Sequence, residues 1–313
     1  MRLLFAGTPA VAVPVLEGLA KIHQISAILT RPPAPQGRSS RLVPSPVEAW
    51  GRDHRIEVLT PQSMKDPQFV QAVRGIAPQC CPVVAYGGLI TPELLRIPTH
   101  GWINLHFSIL PAYRGAAPVQ RALLDGCTQT GITTFLLEPA LDSGPVYLQQ
   151  SVDIAPNETA GDLLDALAVL GAQSMAETME MIEAGYQPTA QPDQGISYAP
   201  KITAEDARLD IGVPASRVVN RVRAMSPEPG AWALLGGQRF KILRARLADP
   251  QDVSSLAADG VLGRLAATKK HLFCHVRDGW IELMEVQAIG KKVMTGADWA
   301  RGALASDPGA YLE

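Results

Sequence analysis

Short apolar runs alternate with amphipathic stretches along the first half of the chain. Each run has the length of a buried strand, and the stretches between them have the spacing of helices. This alternation is typical of an α/β fold in which helices cover a mostly parallel sheet. The predicted strands are 2–7, 25–29, 56–59, 81–86, 102–105 and a late pair, 133–137 and 146–154, for which an antiparallel arrangement is one option.

A long helix is predicted over 159–184, after the last of these strands. Thr159 can cap its N-terminus together with Asp162, three residues later, and Gly185 can end it. The next stretch, 187–201, contains prolines and shows only weak periodicity, so we interpret it as a linker.

The pattern changes after this stretch. One predicted helix over 214–225 precedes short strand-like runs that are separated by glycine turns. Closely spaced strands of this kind predict a small, OB-like β-barrel. The runs are 231–235, 239–247, 272–276 and 280–286. We therefore expect a first domain over 1–186, a linker over 187–208 and a barrel domain over 209–313.

The composition fits two folded domains and excludes several classes of protein. The 313 residues are 47% hydrophobic and 19% charged, with a net charge of −2, which excludes general disorder and a nonspecific nucleic-acid coat. No apolar run approaches the roughly 18 residues of a membrane span, and the first is too short for a signal peptide, so a cytoplasmic location is expected. No CxxC pair and no metal-ligand spacing of histidines occurs, so no metal site is expected.

Two polar residues stand at the end of the predicted strand 102–105. Asn104 and His106 are two positions apart, so they project to the same side of an extended strand. The carboxyl edge of a parallel sheet is where ligands bind, and the small residues 115–117 allow backbone amides to approach a ligand closely. The alternative is that His106 is a structural histidine and Asn104 a turn residue.

A third polar residue, Asp142, lies in the loop between the two late strands. If this loop leans over the strand end, then Asn104, His106 and Asp142 suit the transfer of an acyl group to an amine. Two polar donors would hold the developing oxyanion, and the carboxylate would raise the pKa of the histidine and handle a proton. Together with the small residues 115–117, this combination favours the catalytic interpretation.

Basic residues concentrate in two regions. The stretch 31–41 carries three arginines and no acid, so it is either a solvated loop or an arm that grips phosphate. Residues 206–313 carry 15 Lys and Arg against 12 Asp and Glu, a net charge of +3. Their cations form either an ordinary solvated surface or a nucleic-acid-binding face. The cations of the helix and the first barrel strands are Arg217, Arg221, Arg223, Arg239, Lys241, Arg244 and Arg246.

Short segments spread over the whole chain are shared with one known family. They are 7–9, 37–38, 44–47, 84–87, 104–106, 108–111, 114–118, 141–144, 198–202 and 290–292. Through them the chain resembles the methionyl-tRNA formyltransferase family over essentially its full length. Other folate-dependent formyltransferases and a formyltetrahydrofolate hydrolase share the formyl-transfer core, whereas the arginine loop and the barrel make the match specific.

This resemblance implies a Rossmann-like first domain and an enzyme that moves a formyl group from 10-formyltetrahydrofolate to the α-amine of initiator methionyl-tRNA. The sequence indicates no membrane partner, and no obligate protein partner is evident from it. The catalytic residues would be Asn104, His106 and Asp142. The folate would lie along Val84, Ala85, Tyr86, Gly87, Ser108, Ile109, Leu110, Pro111, Leu141 and Gly144. The tRNA would contact Arg38, Arg41, Lys201, Arg217, Arg221, Lys241 and Lys291.

Two other functions stay open at this point. A formyltransferase that acts on a small amine, such as glycinamide ribonucleotide or an amino sugar nucleotide, would share the three catalytic residues. Only the stretch 31–41 and the barrel distinguish it, because a small substrate needs neither. A noncatalytic RNA-binding protein with a degenerate core would bind tRNA without turning folate over, and the complete set of Asn104, His106 and Asp142 argues against it.

Overall fold

The computed structural model describes residues 1–35, 41–254, 256, 260–304, 307 and 309–313, and it contains two compact units. The first unit comprises Met1–Pro118, Thr130–Val152 and Leu164–Pro200. The second comprises Val119–Gln129, Asp153–Leu163 and Lys201–Glu313. This division differs from the expected boundaries because two short segments of the first half pack within the second unit. Most of the expected linker packs within the first unit.

The first 200 residues contain most of the helices and a large sheet. The strands are β1 (Arg2–Gly7), β2 (Gln24–Leu29), β3 (Ala34–Pro35), β4 (Leu42–Val43), β5 (Val58–Leu59), β6 (Cys81–Val84), β7 (Trp102–His106), β8 (Arg114–Gly115), β9 (Gln129–Leu136), β10 (Val146–Asp153) and β11 (Tyr198–Ala199). The helices are α1 (Val13–Ala20), preceded by a 3-10 turn at Ala10–Ala12, α2 (Pro46–Asp53), α3 (Pro67–Ile76), α4 (Pro92–Leu95), α5 (Pro118–Asp125) and α6 (Ala160–Glu183).

Seven strands form the central sheet in the order β10-β9-β7-β6-β1-β2-β5. The pairs β1–β2, β1–β6, β2–β5 and β6–β7 are parallel, and β9 pairs antiparallel with β7. The prediction of a mostly parallel α/β sheet is therefore confirmed. Because β6 and β7 are parallel neighbours, the residues that follow them lie at the same edge of the sheet.

The core of this unit is built by strands that are apolar on both faces. Leu3, Leu4 and Phe5 of β1 are all 0% exposed, as expected for a central strand of a parallel sheet covered on two sides. One cluster packs β1, β2 and β6 against Phe69 and Val73 of α3. A rigid core directly beneath the sheet edge fixes the positions of the loops that leave it.

The long helix α6 begins with the predicted cap. The Thr159 hydroxyl accepts from the backbone N–H of Asp162 at 3.3 Å, and the Asp162 carboxylate accepts from the Thr159 N–H at 3.0 Å. The guanidinium of Arg244 donates to the same carboxylate at 2.7 Å and lowers the pKa of Asp162 to about 2. Gly185, with a φ of 84°, follows the helix, as predicted from the freedom of glycine to adopt left-handed backbone.

The second unit contains an antiparallel sheet of six strands. The strands are β12 (Ala231–Leu235), β13 (Gln238–Leu247), β14 (Leu265–Ala267), β15 (Leu272–Val276), β16 (Gly279–Gln287) and β17 (Met294–Thr295). The helices of this region are α7 (Ala215–Met225), α8 (Pro250–Val253) and α9 (Gly296–Ala303). The order is β12-β13-β16-β15-β14, with β17 beside β16.

The residues at 310–313 close this sheet into a barrel. On one side, Leu234 of the outer strand β12 and Glu313 exchange two backbone hydrogen bonds of 2.9 and 2.8 Å. On the other, the Leu312 N–H donates to the Gly263 carbonyl at 2.9 Å beside β14. Since a closed sheet leaves no free edge between these strands, the predicted small barrel is confirmed.

Two kinds of feature are absent from the described residues. None of the described helices is long and apolar enough to cross a lipid bilayer. No group of three or more His, Cys, Asp or Glu side chains in the described part of the chain is arranged to hold a metal ion.

Candidate active site

Strand β7 carries two of the three predicted catalytic residues. Its register pairs Asn104 with Phe135 and His106 with Thr133 of β9, and the side chains of Asn104 and His106 line one cavity. Asn104 is half-buried, and among the described residues its side-chain amide makes no hydrogen bond. An amide that faces a cavity without a partner is available to a ligand.

The cavity lies at the carboxyl edge of β6 and β7 and has a volume of about 450 Å³, within the usual range for small-molecule sites. The loop after β6, the small residues after β8 and the loop between β9 and β10 enclose it. Two leucines on its rim, Leu89 and Leu141, are 81% and 59% exposed. The site is therefore a mostly apolar cleft with a few polar groups.

Asp142 reaches His106, as the sequence predicts. Its Oδ2 lies 3.8 Å from His106 Nδ1 and accepts from the Gly115 N–H at 2.7 Å. The other ring nitrogen of His106, Nε2, lies 2.9 Å from the Tyr113 carbonyl oxygen. Because a carbonyl only accepts, Nε2 carries a proton, and in the neutral ring the Nδ1 lone pair points at the Asp142 side.

Unusual backbone conformations accompany this arrangement. Three residues other than glycine have a positive φ next to the cavity: Ala85 (47°), Tyr113 (60°) and Asp142 (45°). At Gly144, after Asp142, a Cβ atom would clash with the Leu136 carbonyl oxygen. Strain of this kind persists only where the surroundings enforce it, and it concentrates at functional sites.

The Asp142 carboxylate raises the pKa of His106, as expected, but it does not determine the direction of the net shift from 6.5. Burial of the ring lowers the pKa of His106 below 6.5, and this effect outweighs the opposite effects of Asp142 and the Tyr113 carbonyl. Only 5% of the His106 side chain is exposed, so the charged form loses most of its hydration. At neutral pH the ring is therefore neutral and able to accept a proton at Nδ1.

The ten predicted folate residues fall into two groups. Four of them line the cavity: Ala85, Tyr86, Gly87 and Leu141. Six do not: Val84, Ser108, Ile109, Leu110, Pro111 and Gly144. In this second group the Ser108 hydroxyl donates to the Ala112 carbonyl at 2.6 Å, so it stabilises the loop behind the cavity.

Sequence reasoning missed several residues of the cavity wall. Leu95, Leu137 and Glu138 line it, beside the predicted segments. Leu137 and Glu138 follow β9, and Leu95 ends helix α4, so no motif in the sequence marks any of the three as part of a cavity wall.

The predicted tRNA contacts are spread over both units. Arg38 lies outside the described residues. Arg41, Lys201, Arg217 and Lys291 are exposed, whereas Arg221 and Lys241 are half-buried. The half-buried cations donate to backbone carbonyls, Arg221 to Arg208 at 2.8 Å and Lys241 to Pro229 at 2.9 Å.

Three arginines of the barrel domain have structural partners. Arg223 is buried and donates to the carbonyl oxygens of Glu158 and Ala155 at 2.9 and 3.0 Å. Arg244 pairs with Asp162, and Arg246 pairs with Glu282 at 2.6 Å. The idea that these cations belong to a basic face is therefore wrong for Arg223, because it is buried. The other two are neutralised by carboxylates.

Comparison with known sequences identifies relatives of both halves. Residues 1–179 match the family described as Formyl transferase, and residues 201–304 match its C-terminal domain. A protein of Streptomyces coelicolor named methionyl-tRNA formyltransferase is 50% identical over 307 residues, which covers 97% of each chain.

Solved structures share the fold at low sequence identity. The methionyl-tRNA formyltransferase of Clostridium thermocellum is 14% identical, with a TM-score of 0.57 over 79% of this chain and 94% of its own. HypX of Aquifex aeolicus, solved in complex with tetrahydrofolic acid, is 17% identical, with a TM-score of 0.64 over 97% of this chain and 47% of its own.

Proposed function

The chain belongs to the formyl transferase family, and we propose that it formylates the α-amine of initiator methionyl-tRNA with 10-formyltetrahydrofolate as the donor. The observation that carries this proposal is the convergence of Asn104, His106 and Asp142 on one cavity at the sheet edge. Such a reaction belongs to translation initiation, so we expect the protein to act in the cytoplasm.

The cavity fits a folate co-substrate. Its volume of about 450 Å³ is sufficient for a bicyclic ring system, and its apolar wall suits a flat aromatic group. Positive φ at Ala85 and Gly87 turns the backbone of the loop after β6, which lines the cavity. Backbone groups of such a loop can pair with the polar edge of a pterin, and the bound co-substrate supplies the formyl carbon that the amine attacks.

The residues of the cavity stabilise the charge that develops during this attack. The free amide of Asn104 donates to the oxyanion of the tetrahedral intermediate. A preorganised donor in a site with little water contributes far more than the same donor in water. An α-amine has a pKa of about 7.7–8.0, so a neutral nucleophile is present near pH 7 and needs no strong base.

His106 accepts the proton that the attacking amine must lose. Its neutral ring offers Nδ1, and the imidazolium that forms lies 3.8 Å from the Asp142 carboxylate. The charged ring then joins Asn104 in stabilising the oxyanion and returns the proton to the leaving nitrogen. Asp142 favours the charged ring, while burial keeps the resting ring neutral.

The tRNA is proposed to contact exposed cations of both units, among them Arg41, Lys201, Arg217 and Lys291. Arginine and lysine bind phosphate without reading sequence, so these residues would position the acceptor end. Arg38 is also proposed to contact the tRNA, on the basis of the sequence.

One assay tests the proposed function directly. The protein is incubated with 10-formyltetrahydrofolate in two parallel reactions. One contains methionyl initiator tRNA, and the other contains glycinamide ribonucleotide. We expect formylation of the tRNA only, with a KM for tRNA that rises with salt because phosphate contacts release counterions. Formylation of glycinamide ribonucleotide alone would refute the assignment, and tRNA binding without any formyl transfer would identify a noncatalytic RNA-binding protein.

The lowered pKa of His106 gives a second prediction. In the free protein, an NMR titration of the His106 ring should give a pKa below 6.5, and Asp142→Asn should lower this pKa further by removing the neighbouring negative charge. The folded state then binds fewer protons than the unfolded chain between the lowered pKa and 6.5. The contribution of His106 to the free energy of unfolding is therefore complete above pH 6.5 and is lost as the pH falls through this window. A His106 pKa above 6.5 would contradict the prediction.

A further inference from the structure

The segment Thr189–Ala199, which we call the strap, runs along the loops of the active site within the first unit. At its start, Thr189 and Val146 exchange two backbone hydrogen bonds of 2.7 and 2.8 Å. At its end, Tyr198 and Ala199 of β11 pair with β8, and the Ala199 carbonyl accepts from the N–H groups of Ala116 and Ala117. The strap therefore connects the loop after β9 with the loop that contains β8.

One side chain of the strap uses all of its polar atoms in this connection. The Gln191 Nε2 group donates to the carbonyl oxygens of Asp142 and Gly144 at 2.9 and 2.8 Å. Its Oε1 accepts from Nε and a terminal nitrogen of Arg114 at 3.2 and 2.6 Å. An amide with two donors and one acceptor in use has a single orientation, so it holds both loops in fixed positions.

The backbone groups on either side of Arg114 form hydrogen bonds with His106 and Asp142. The Tyr113 carbonyl accepts from His106 Nε2, and the Gly115 N–H donates to Asp142 Oδ2. The residue between them, Arg114, is the one that Gln191 binds. A continuous ring of contacts thus runs from His106 through residues 113–115 and Gln191 to Asp142.

We propose that Gln191 is a positioning residue that, through Arg114 and the backbone of Asp142, holds the Asp142 carboxylate beside the His106 ring. This inference rests on the proposed catalytic roles of Asp142 and His106. Asp142 has a positive φ of 45°, a conformation that needs external support, and the two hydrogen bonds from Gln191 provide support at this turn. Gln191 itself does not line the cavity and has no contact with substrate in this proposal.

Two variants of Gln191 separate positioning from simple structural support. Gln191→Ala removes every contact of the side chain. Gln191→Glu keeps the size and the bond to Arg114 but places a carboxylate oxygen against the carbonyls of Asp142 and Gly144. If Gln191 holds Asp142, both variants lower kcat by up to about 100-fold, the cost of a 1 Å misplacement, with little change in the KM for tRNA. If it serves only to hold Arg114, Gln191→Glu keeps normal kcat.

The NMR titration of His106 supplies a readout that does not depend on activity. Moving Asp142 away removes the charge that favours protonation, so both Gln191 variants should lower the His106 pKa toward its value in Asp142→Asn. In the Asp142→Asn background, Gln191→Ala should cost no further kcat, because the two residues act through the same carboxylate.

The control is Gln187→Ala, since Gln187 precedes the strap and, within the described part of the chain, its amide donates only to the local Gly185 carbonyl at 3.2 Å. This variant should leave both kcat and the His106 pKa unchanged. The inference is overturned if a folded Gln191→Glu protein retains the wild-type kcat and His106 pKa. A wild-type protein that does not formylate methionyl-tRNA would instead refute the proposed function, and the His106 titration would still test the contact between Gln191 and Asp142.

Discussion

Replacement of His106 by glutamine is expected to lower kcat for formylation by about 100- to 10,000-fold, the usual cost of losing a general base. Glutamine keeps an N–H group that can donate to the Tyr113 carbonyl, as His106 Nε2 does at 2.9 Å. It has no group that accepts and returns a proton near neutral pH. Single-turnover formylation of methionyl-tRNA with both substrates saturating measures this loss without contributions from binding or product release.

The matched control for this experiment is His54→Gln, which changes an exposed histidine at the end of α2 that stacks on Trp50. We expect an unchanged kcat for it, and unchanged KM values for both variants. A loss of less than tenfold for His106→Gln would show that proton transfer by this ring does not limit the reaction. Positioning and the Asn104 amide would then account for catalysis.

The strands that form the site were predictable because their patterns are local. The first predicted strand, 2–7, matches β1 (Arg2–Gly7) at both ends. A strand buried on both faces of a parallel sheet has a continuous run of apolar residues, which is easy to recognise in a sequence. The period of two along β7 also sufficed to place Asn104 and His106 on one side. The predicted strand 56–59 proved shorter, as Val58–Leu59, because only these two residues pair with β2.

Contacts between distant segments were not predictable to the same degree. The sequence predicts that Asp142 leans over the strand end, but it does not predict that the Asp142 carbonyl accepts from Gln191, 49 residues further along the chain. Weak periodicity led to the interpretation of 187–201 as a linker. In the structure, polar side chains of this segment bind backbone groups of other loops. Such contacts do not produce a periodic pattern in the sequence.

The electrostatic effects depend on burial, which a sequence does not contain. The carboxylate next to His106 raises the pKa of the ring, as predicted, but the net shift is downward, because loss of hydration outweighs the neighbouring charge. Arg223 shows the same limit, since its helical position is compatible with an exposed face. Its guanidinium is buried and bonded to carbonyl oxygens in the second unit.

Replacement of Asn104 by alanine is expected to lower kcat by about 100- to 1,000-fold, the cost of removing one oxyanion donor. The side-chain amide has no hydrogen-bond partner among the described residues, so its loss leaves no buried group unsatisfied. We therefore expect little change in the denaturation midpoint and in the KM for folate. Single-turnover formylation and a urea titration of the same preparation measure the two effects side by side.

A second substitution, Asn104→Asp, shows whether the amide acts as a donor. Aspartate has almost the same shape, but its carboxylate repels a developing oxyanion, so kcat should fall at least as far as in Asn104→Ala. Asn157→Ala, which truncates an exposed asparagine before α6, is the control and should retain full activity. If Asn104→Ala retains near-normal turnover, or if the aspartate variant is the more active of the two, the oxyanion is stabilised by other groups. His106 would then carry this role, because the backbone N–H groups of residues 115–117 already donate to Asp142 and Ala199.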